Sequence, residues 1–216
     1  MRILVLYDND VYLKGKGLES EWGFSALIDN GDERILFDTG GDGKILLKNM
    51  KALDIDPSSI DKIVISHEHW DHNGGLDAIL PKMEKAKLWD QSDGRTPENI
   101  QHNVVKGPVE ISQGINSTGS LKGDPVSEQS LVLEGSKGLW VLVGCSHPGV
   151  GNILKASRVM GNVIGLAGGF HGLEDMNVLK DLDHIYPMHC TVKRKQILEE
   201  FPKTARQGGI GLEIEI

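Results

Sequence analysis

The chain has 216 residues, 39% of them hydrophobic, with 23 Lys and Arg against 31 Asp and Glu, a formal net charge of −8 and a pI near 5.5. Such a length can bury a core without disulfides or a structural metal, and an acidic balance with no basic stripe argues against wrapping nucleic acid or docking on anionic lipid. Two cysteines, Cys145 and Cys190, make no disulfide framework and point to a reducing cytoplasm, while no apolar run approaches the roughly 20 residues that span a bilayer.

In chain order, "MRILVLYDND" is too short before Asp8 for a secretory signal and predicts a strand over 2–7. Strands follow over 24–29 and 34–40, with "DNGDE" as the hairpin turn between them. Apolar residues at helical spacing predict a helix over 42–55, ending before Pro57. "IDKIVIS" (60–66) is a buried strand, and "NGGLDAILPKM" (73–83) a helix. Residues 91–127, rich in Gly, Ser, Pro and Asn with short β-like pieces such as "VEIS", read either as an excursion or lid over a pocket or as a plain surface loop. A second hairpin spans 130–134 and 139–146, followed by a helix over 149–161, a strand over 162–169 and a helix over 173–182. A strand over 184–189, a helix over 193–201 and a closing strand "GLEIEI" complete the pattern. With no repeat and no linker, a single domain over 1–216 is expected, with two sheets and helices on their outer faces.

Six of the eight histidines lie at or just past the end of an apolar strand, in "IVIS-HEHWDH", "VLVGCS-H", "IGLAGGF-H" and "IYPM-H". Strand ends open onto one edge of a sheet, so His67, His69, His72, His147, His171 and His189 have the placement of a convergent site. His67 and His69, two apart, point the same way from a strand end or tight turn, and Asp71 and His72 follow where the chain turns. Neutral imidazoles with a carboxylate suit Zn²⁺, and also Fe²⁺ or Mn²⁺. Without a metal, burying this set would cost several kcal/mol in unpaired polar groups. Asp38 in "FDTG" reads either as an acceptor for the histidine loop or as a cap for the next helix, for which Asp42 is the better candidate. His171 reads either as a contact to a substrate oxyanion or phosphate or as a cap of the helix after it. Trp70 either lines a pocket mouth or packs on the helix at 73–83, and Cys190 reads as a packed thiol. His102 and His184 carry no signal beyond a structural role. "GGDGK" is too short for a phosphate-cradling loop, no G-x-S-x-G elbow is present, and a Cys145–His147 thiol pair lacks an orienting third group.

The signature "HEHWDH" resembles the H-x-H-x-D-H motif of the metallo-β-lactamase superfamily of hydrolases. "LIDNGDERILFDTG" resembles the hairpin before it, and "GCSHPGVGNIL", "GGFHGL" and "YPMHCT" resemble a branch with dihydropterin-ribofuranosyl-aminobenzene-phosphate synthase-like proteins. The resemblance runs over most of the chain in matching order, without 91–127. It implies an α/β fold, a four-layer αββα sandwich, and a site for two divalent metal ions, zinc first. By this resemblance His67, His69 and His147 hold one ion and Asp71, His72 and His189 the other. Many members carry a metal-bridging Asp where this chain has Cys145, and an upstream histidine where it has only "SEQS". Cys145 therefore lies beside the metals or is simply packed. The implied activity is hydrolysis of a small anionic ester, a phosphodiester or lactone, by metal-activated hydroxide. Asp71 orients the nucleophile, and His171 meets the leaving group or oxyanion. A monomer or homodimer acting on a small molecule, with no nucleic-acid or membrane partner, is expected. The alternatives are a nuclease of the same superfamily, which needs a basic arm, and a two-iron redox enzyme, which needs an extra glutamate. A metal- or ligand-binding sensor without turnover is the third, left open by the absent bridging Asp.

Overall fold

The computed structural model describes residues 1–83, 87–92 and 100–216. Residues 93–99, within the excursion read over 91–127, lie outside the described residues. The chain forms two compact units, Met1–Lys106 with Gly209–Glu215, and Gly107–Gly208 with Ile216.

The first unit contains β1 (Arg2–Tyr7), β2 (Ser25–Asp29), β3 (Arg34–Phe37), α1 (Gly43–Ala52), β4 (Lys62–Val64), α2 (Trp70–Asn73), α3 (Leu76–Ile79), β5 (Lys87–Asp90) and β6 (Gln101–Val104). The second contains β7 (Val109–Ser112), β8 (Ile115–Ser117), β9 (Leu131–Glu134), β10 (Leu139–Val143), α4 (Val150–Ser157), β11 (Val163–Gly169), β12 (His184–Met188) and α5 (Arg194–Glu200). Then β13 (Glu213–Glu215) returns to the first sheet, whose order is β13-β1-β2-β3-β4-β5-β6. The second sheet runs β12-β11-β10-β9-β8-β7. Both are mixed: β3, β4, β5 and β6 pair in parallel, as do β10, β11 and β12, and the remaining neighbours are antiparallel. This is the expected α/β class with two multi-strand sheets.

The near-continuous apolar runs of the sequence become strands buried at almost every position, as in β1 and all of β11. Each unit has its own core. In the first, Leu6, Leu36, Ile63 and Leu88 of the strands meet Leu46 and Met50 of α1 and Ile79 of α3. In the second, Val141, Leu166 and Ile185 meet Ile153 and Leu154 of α4 and Ile197 of α5. Each such side chain contributes roughly 1.5–3 kcal/mol when fully buried. Asp42 caps α1, its carboxylate accepting the Lys44 N–H at 2.7 Å.

Three expectations change. The helix read over 73–83 begins earlier, at Trp70 inside the histidine motif, and breaks at Gly74–Gly75 into α2, α3 and a 3₁₀ turn over Leu80–Lys82. A β-carbon on Gly75 would lie 2.3 Å from the Thr39 carbonyl oxygen, so the chain passes the β3 loop there as bare backbone. The helix read over 173–182 is only a 3₁₀ turn, Met176–Leu179, capped by Asp175. The stretch 91–127 supplies β6 at one edge of the first sheet and β7 and β8 at one edge of the second. β7 is the "VEIS" segment already read as β-like; β6 and β8, strands of three or four mostly polar residues, carry too little alternation to be read from sequence. Among the described residues, no helix is long and apolar enough to cross a membrane.

Candidate metal centre

In the first unit the site begins where β3 and β4 end side by side. Because they run parallel, the loops after them, carrying Asp38 and His67, leave from the same edge. Asp38 is fully buried with φ +59°, a left-handed backbone that Asp tolerates better than most residues. Its carboxylate accepts the Ser66 N–H at 2.7 Å, the Ser66 hydroxyl at 2.8 Å and His72 Nδ1 at 2.7 Å. An ionised carboxylate only accepts, so the network assigns the His72 proton to Nδ1 and leaves a lone pair on Nε2. The Ser66 hydroxyl has spent its proton on Asp38, so at 2.9 Å it accepts from His67 Nδ1, and His67 Nε2 carries a lone pair too. One buried acid thus sets both imidazoles in the tautomer that binds a metal through Nε2.

The donor geometry fits that chemistry. His67 Nε2 and His69 Nδ1 lie 3.1 Å apart. Two imidazole nitrogens on a tetrahedral zinc, each about 2.0–2.1 Å from the ion, are about 3.3 Å apart. The His67 and His72 ring centres lie 4.2 Å apart. Asp71, carried into place by the first turn of α2, has Oδ2 at 3.8 Å from His72 Nε2. Glu68, the acid that a two-iron alternative would use, is exposed.

In the second unit the parallel trio β10, β11 and β12 brings three loops to one edge, each holding a candidate residue: Cys145 and His147, His171, and His189. The loops are laced together. The Ser146 hydroxyl donates to the Gly169 carbonyl at 2.7 Å, Phe170 N–H to Thr191 Oγ1 at 3.0 Å, and Val192 N–H to the His171 carbonyl at 3.1 Å. Ser146, His171 and His189 all have positive φ, at 67°, 39° and 47°. Such backbone costs on the order of 1–3 kcal/mol per residue and persists where the surroundings enforce it, often at functional sites. Cys145, His147 and His171 offer donor atoms within 4.8 Å of one another, a set able to hold a metal ion. His147 and His171, ring centres 5.1 Å apart, also line a cavity of about 420 Å³ with Ser146, Gly149 and Asp175. His171 is exposed, and capping of the following turn falls to Asp175 instead. His189 is buried. Cys190 packs against Cys145, its Sγ 3.8 Å from the Cys145 carbonyl. The Cys145 thiol, with His171, holds the Cys190 thiol below its ordinary value despite burial.

Two residues escaped the sequence reading. Glu128, inside the passed-over "SEQS", is fully buried and grips the loop that carries Cys145 and His147. Its Oε1 accepts the N–H groups of Gly144, Cys145 and Ser146 at 3.0, 3.0 and 3.1 Å, and Oε2 accepts that of His147 at 2.8 Å. An acid in an otherwise neutral stretch just before an apolar strand was the available signal. Trp22 donates its indole N–H to Asp71 Oδ2 at 2.8 Å; nothing in the sequence ties residue 22 to residue 71. The remaining histidines have structural partners, His102 on Asp90 at 2.7 Å and His184 stacked on Trp140 at 4.9 Å.

Residues 23–154 match the family model of the metallo-beta-lactamase superfamily. Over 84% of this chain and 85% of its own length, a Methanocaldococcus jannaschii protein named 7,8-dihydropterin-6-methyl-4-(beta-D-ribofuranosyl)-aminobenzene-5'-phosphate synthase is 29% identical. The crystal structure of Tm1679, described as a metal-dependent hydrolase of the beta-lactamase superfamily, superposes with a TM-score of 0.80 at 27% identity, covering 100% of this chain and 99% of that one. A diphosphatase from the PhnP family superposes with a TM-score of 0.67 at 16% identity, covering 100% of this chain and 97% of that one, a likeness of fold.

Proposed function

The chain belongs to the metallo-beta-lactamase superfamily, as an enzyme of that hydrolase fold, and from this premise we propose that it hydrolyses a small anionic ester, of the phosphodiester or lactone class, with two divalent metal ions. The observation that carries the reading is the Asp38 network, which places the protons of His67 and His72 on Nδ1 and their lone pairs on Nε2, with His67 Nε2 3.1 Å from His69 Nδ1. In this proposal His67, His69 and His147 hold one ion, and Asp71, His72 and His189 the other, with zinc preferred over iron or manganese. Bound there, the ions supply an acidified water and polarise the ester oxygen.

The chain's own residues do the rest. Asp38 fixes the imidazoles, and Trp22 holds Asp71 by one carboxylate oxygen. Asp71 orients the nucleophile, and His171, exposed at the cavity wall, protonates the leaving group or contacts its oxyanion. Cys145 stands two residues before His147, at the position where many members of the family carry an Asp. The relative is named as the synthase of a ribofuranosyl-aminobenzene phosphate joined to a dihydropterin, which supports a small phosphorylated ligand for this site. The negative charge of the chain, −8, favours that class over nucleic acid. A cytoplasmic monomer or homodimer with no membrane or nucleic-acid partner completes the reading.

The test is metal analysis of the purified protein, followed by a phosphodiester and lactone screen. About two metals per chain are expected, with hydrolysis lost at least about a thousandfold in His67→Ala and His189→Ala. Stoichiometric metal with no turnover of any ester would instead establish a binding sensor, the reading that Cys145 in place of an acid leaves open.

A further inference from the structure

Trp22 and Trp70 break the burial pattern of the first unit. Tyr7, Phe24 and Phe37 are fully buried, yet Trp70 is 61% exposed and Trp22 47%, with Tyr12 likewise exposed at 51%. Three backbone segments meet where the two tryptophans lie, and glycines make the meeting tight. A β-carbon on Gly23 would be 2.6 Å from the Asp71 carbonyl oxygen, and one on Gly74 2.5 Å from that of Gly41. On Gly41 itself it would meet the Trp70 ring at 2.4 Å and the Trp22 carbonyl oxygen at 3.0 Å. Both residues therefore border Gly41, and the benzo edge of Trp70 rests on its bare α-carbon.

The chemistry of the pair is specific. Trp22 uses the one polar atom of its ring on Asp71, at 2.8 Å. Asn, Gln or Ser would serve if that hydrogen bond were the whole purpose; an indole adds a large flat apolar surface, and about half of this residue remains open. Trp70 stands between His69 and Asp71 in the sequence, so it shares their turn while presenting its own bulk outward. Two indoles left at the surface oppose the hydrophobic effect, and a planar ring laid on them would remove that apolar area from water.

We propose that Trp22 and Trp70 form a binding platform for a planar aromatic or heteroaromatic group on the substrate ester, fixed by the Trp22–Asp71 hydrogen bond next to the hydrolytic residues. The proposal rests on the hydrolase reading for the position of the ester, and it names what the ester carries.

The test is calorimetric titration of the metal-loaded protein with 1-naphthyl phosphate and with n-butyl phosphate, which share the phosphate and differ in the ring. Wild type should bind the naphthyl ester about tenfold more tightly. Trp70→Leu and Trp22→Leu, which keep apolar bulk without a flat face, should each bring the ratio below about threefold, and Trp70→Phe should restore most of it. Equal affinity in wild type, no binding of either phosphate, or a ratio that survives both leucine substitutions would overturn the proposal. Turnover does not enter this readout. A protein that stacks the aryl phosphate but cleaves no ester keeps the platform and loses the hydrolase reading; one that cleaves esters but binds the aryl and alkyl phosphates equally keeps the hydrolase and loses the platform.

Discussion

Asp38 and Glu128 do related work in different places: each is a buried carboxylate that accepts several hydrogen bonds from one loop. Asp38 takes three donors, two of them from Ser66 and one from His72, and Glu128 takes four backbone N–H groups. Asp38→Asn turns one acceptor oxygen into a donor facing donors. It should weaken metal binding about 10- to 100-fold and lower stability by about 2–4 kcal/mol, read by chelator competition and urea unfolding; unchanged metal affinity in the folded variant would refute the tautomer argument. Glu128→Gln should cost about 1–3 kcal/mol for the same reason, and a urea midpoint equal to wild type would show that water replaces the carboxylate. These residues also mark how far the sequence could be read. The histidine turn with Asp71 was legible as a candidate because a dense run of titratable groups follows a buried strand. Glu128 was not, because a lone acid looks the same whether it is solvated or holds four amides. Trp22 was not, because its partner lies 49 positions away.

At the scale of elements, strand ends set the site and glycines set how closely the loops approach. Gly75→Ala would force a methyl to within 2.3 Å of the Thr39 carbonyl oxygen, where backbone cannot yield cheaply. A loss of about 3 kcal/mol or more is expected, whereas Gly107→Ala, with nothing within 4 Å, should stay within about 0.5 kcal/mol. Comparable midpoints for the two in urea would mean that the loop relaxes freely. Strands such as β1 and β10 were readable because their sequence is apolar at nearly every position, whereas the polar β6 and β8 were not. The helices beside the histidines were less so. Over 73–83 the apolar period is real, but Gly74–Gly75 and Pro81 cut it into short turns. Over 173–182 the apolar spacing is fulfilled by a single 3₁₀ turn that buries Met176 and Leu179.

Over the whole chain, the two units each own a sheet and a core, yet only the second is continuous from 107 to 208. The first closes its edge with residues from beyond the second: β13 pairs with β1, Arg2 against Glu215, and Val5 exchanges backbone hydrogen bonds with Gly211 and Leu212 at 2.8 and 3.0 Å. Removing residues 209–216 should strip hydrogen-exchange protection from β1 and β2 while β10 to β12 keep theirs; undiminished protection in β1 would show that the edge strand is dispensable. Two sheets were foreseeable from the strand count, but this return was not, since "GLEIEI" carries no mark of its partner. Its consequence lies in time rather than space. Synthesis delivers residues 1–106 first, but the edge of β1 has no strand to cover it until the chain beyond 208 leaves the ribosome. The half made first is therefore finished last, and through that interval an apolar strand edge stays open to mispairing. A growing chain of this design gains from having its second unit fold promptly, because all of that unit but Ile216 is made before β13.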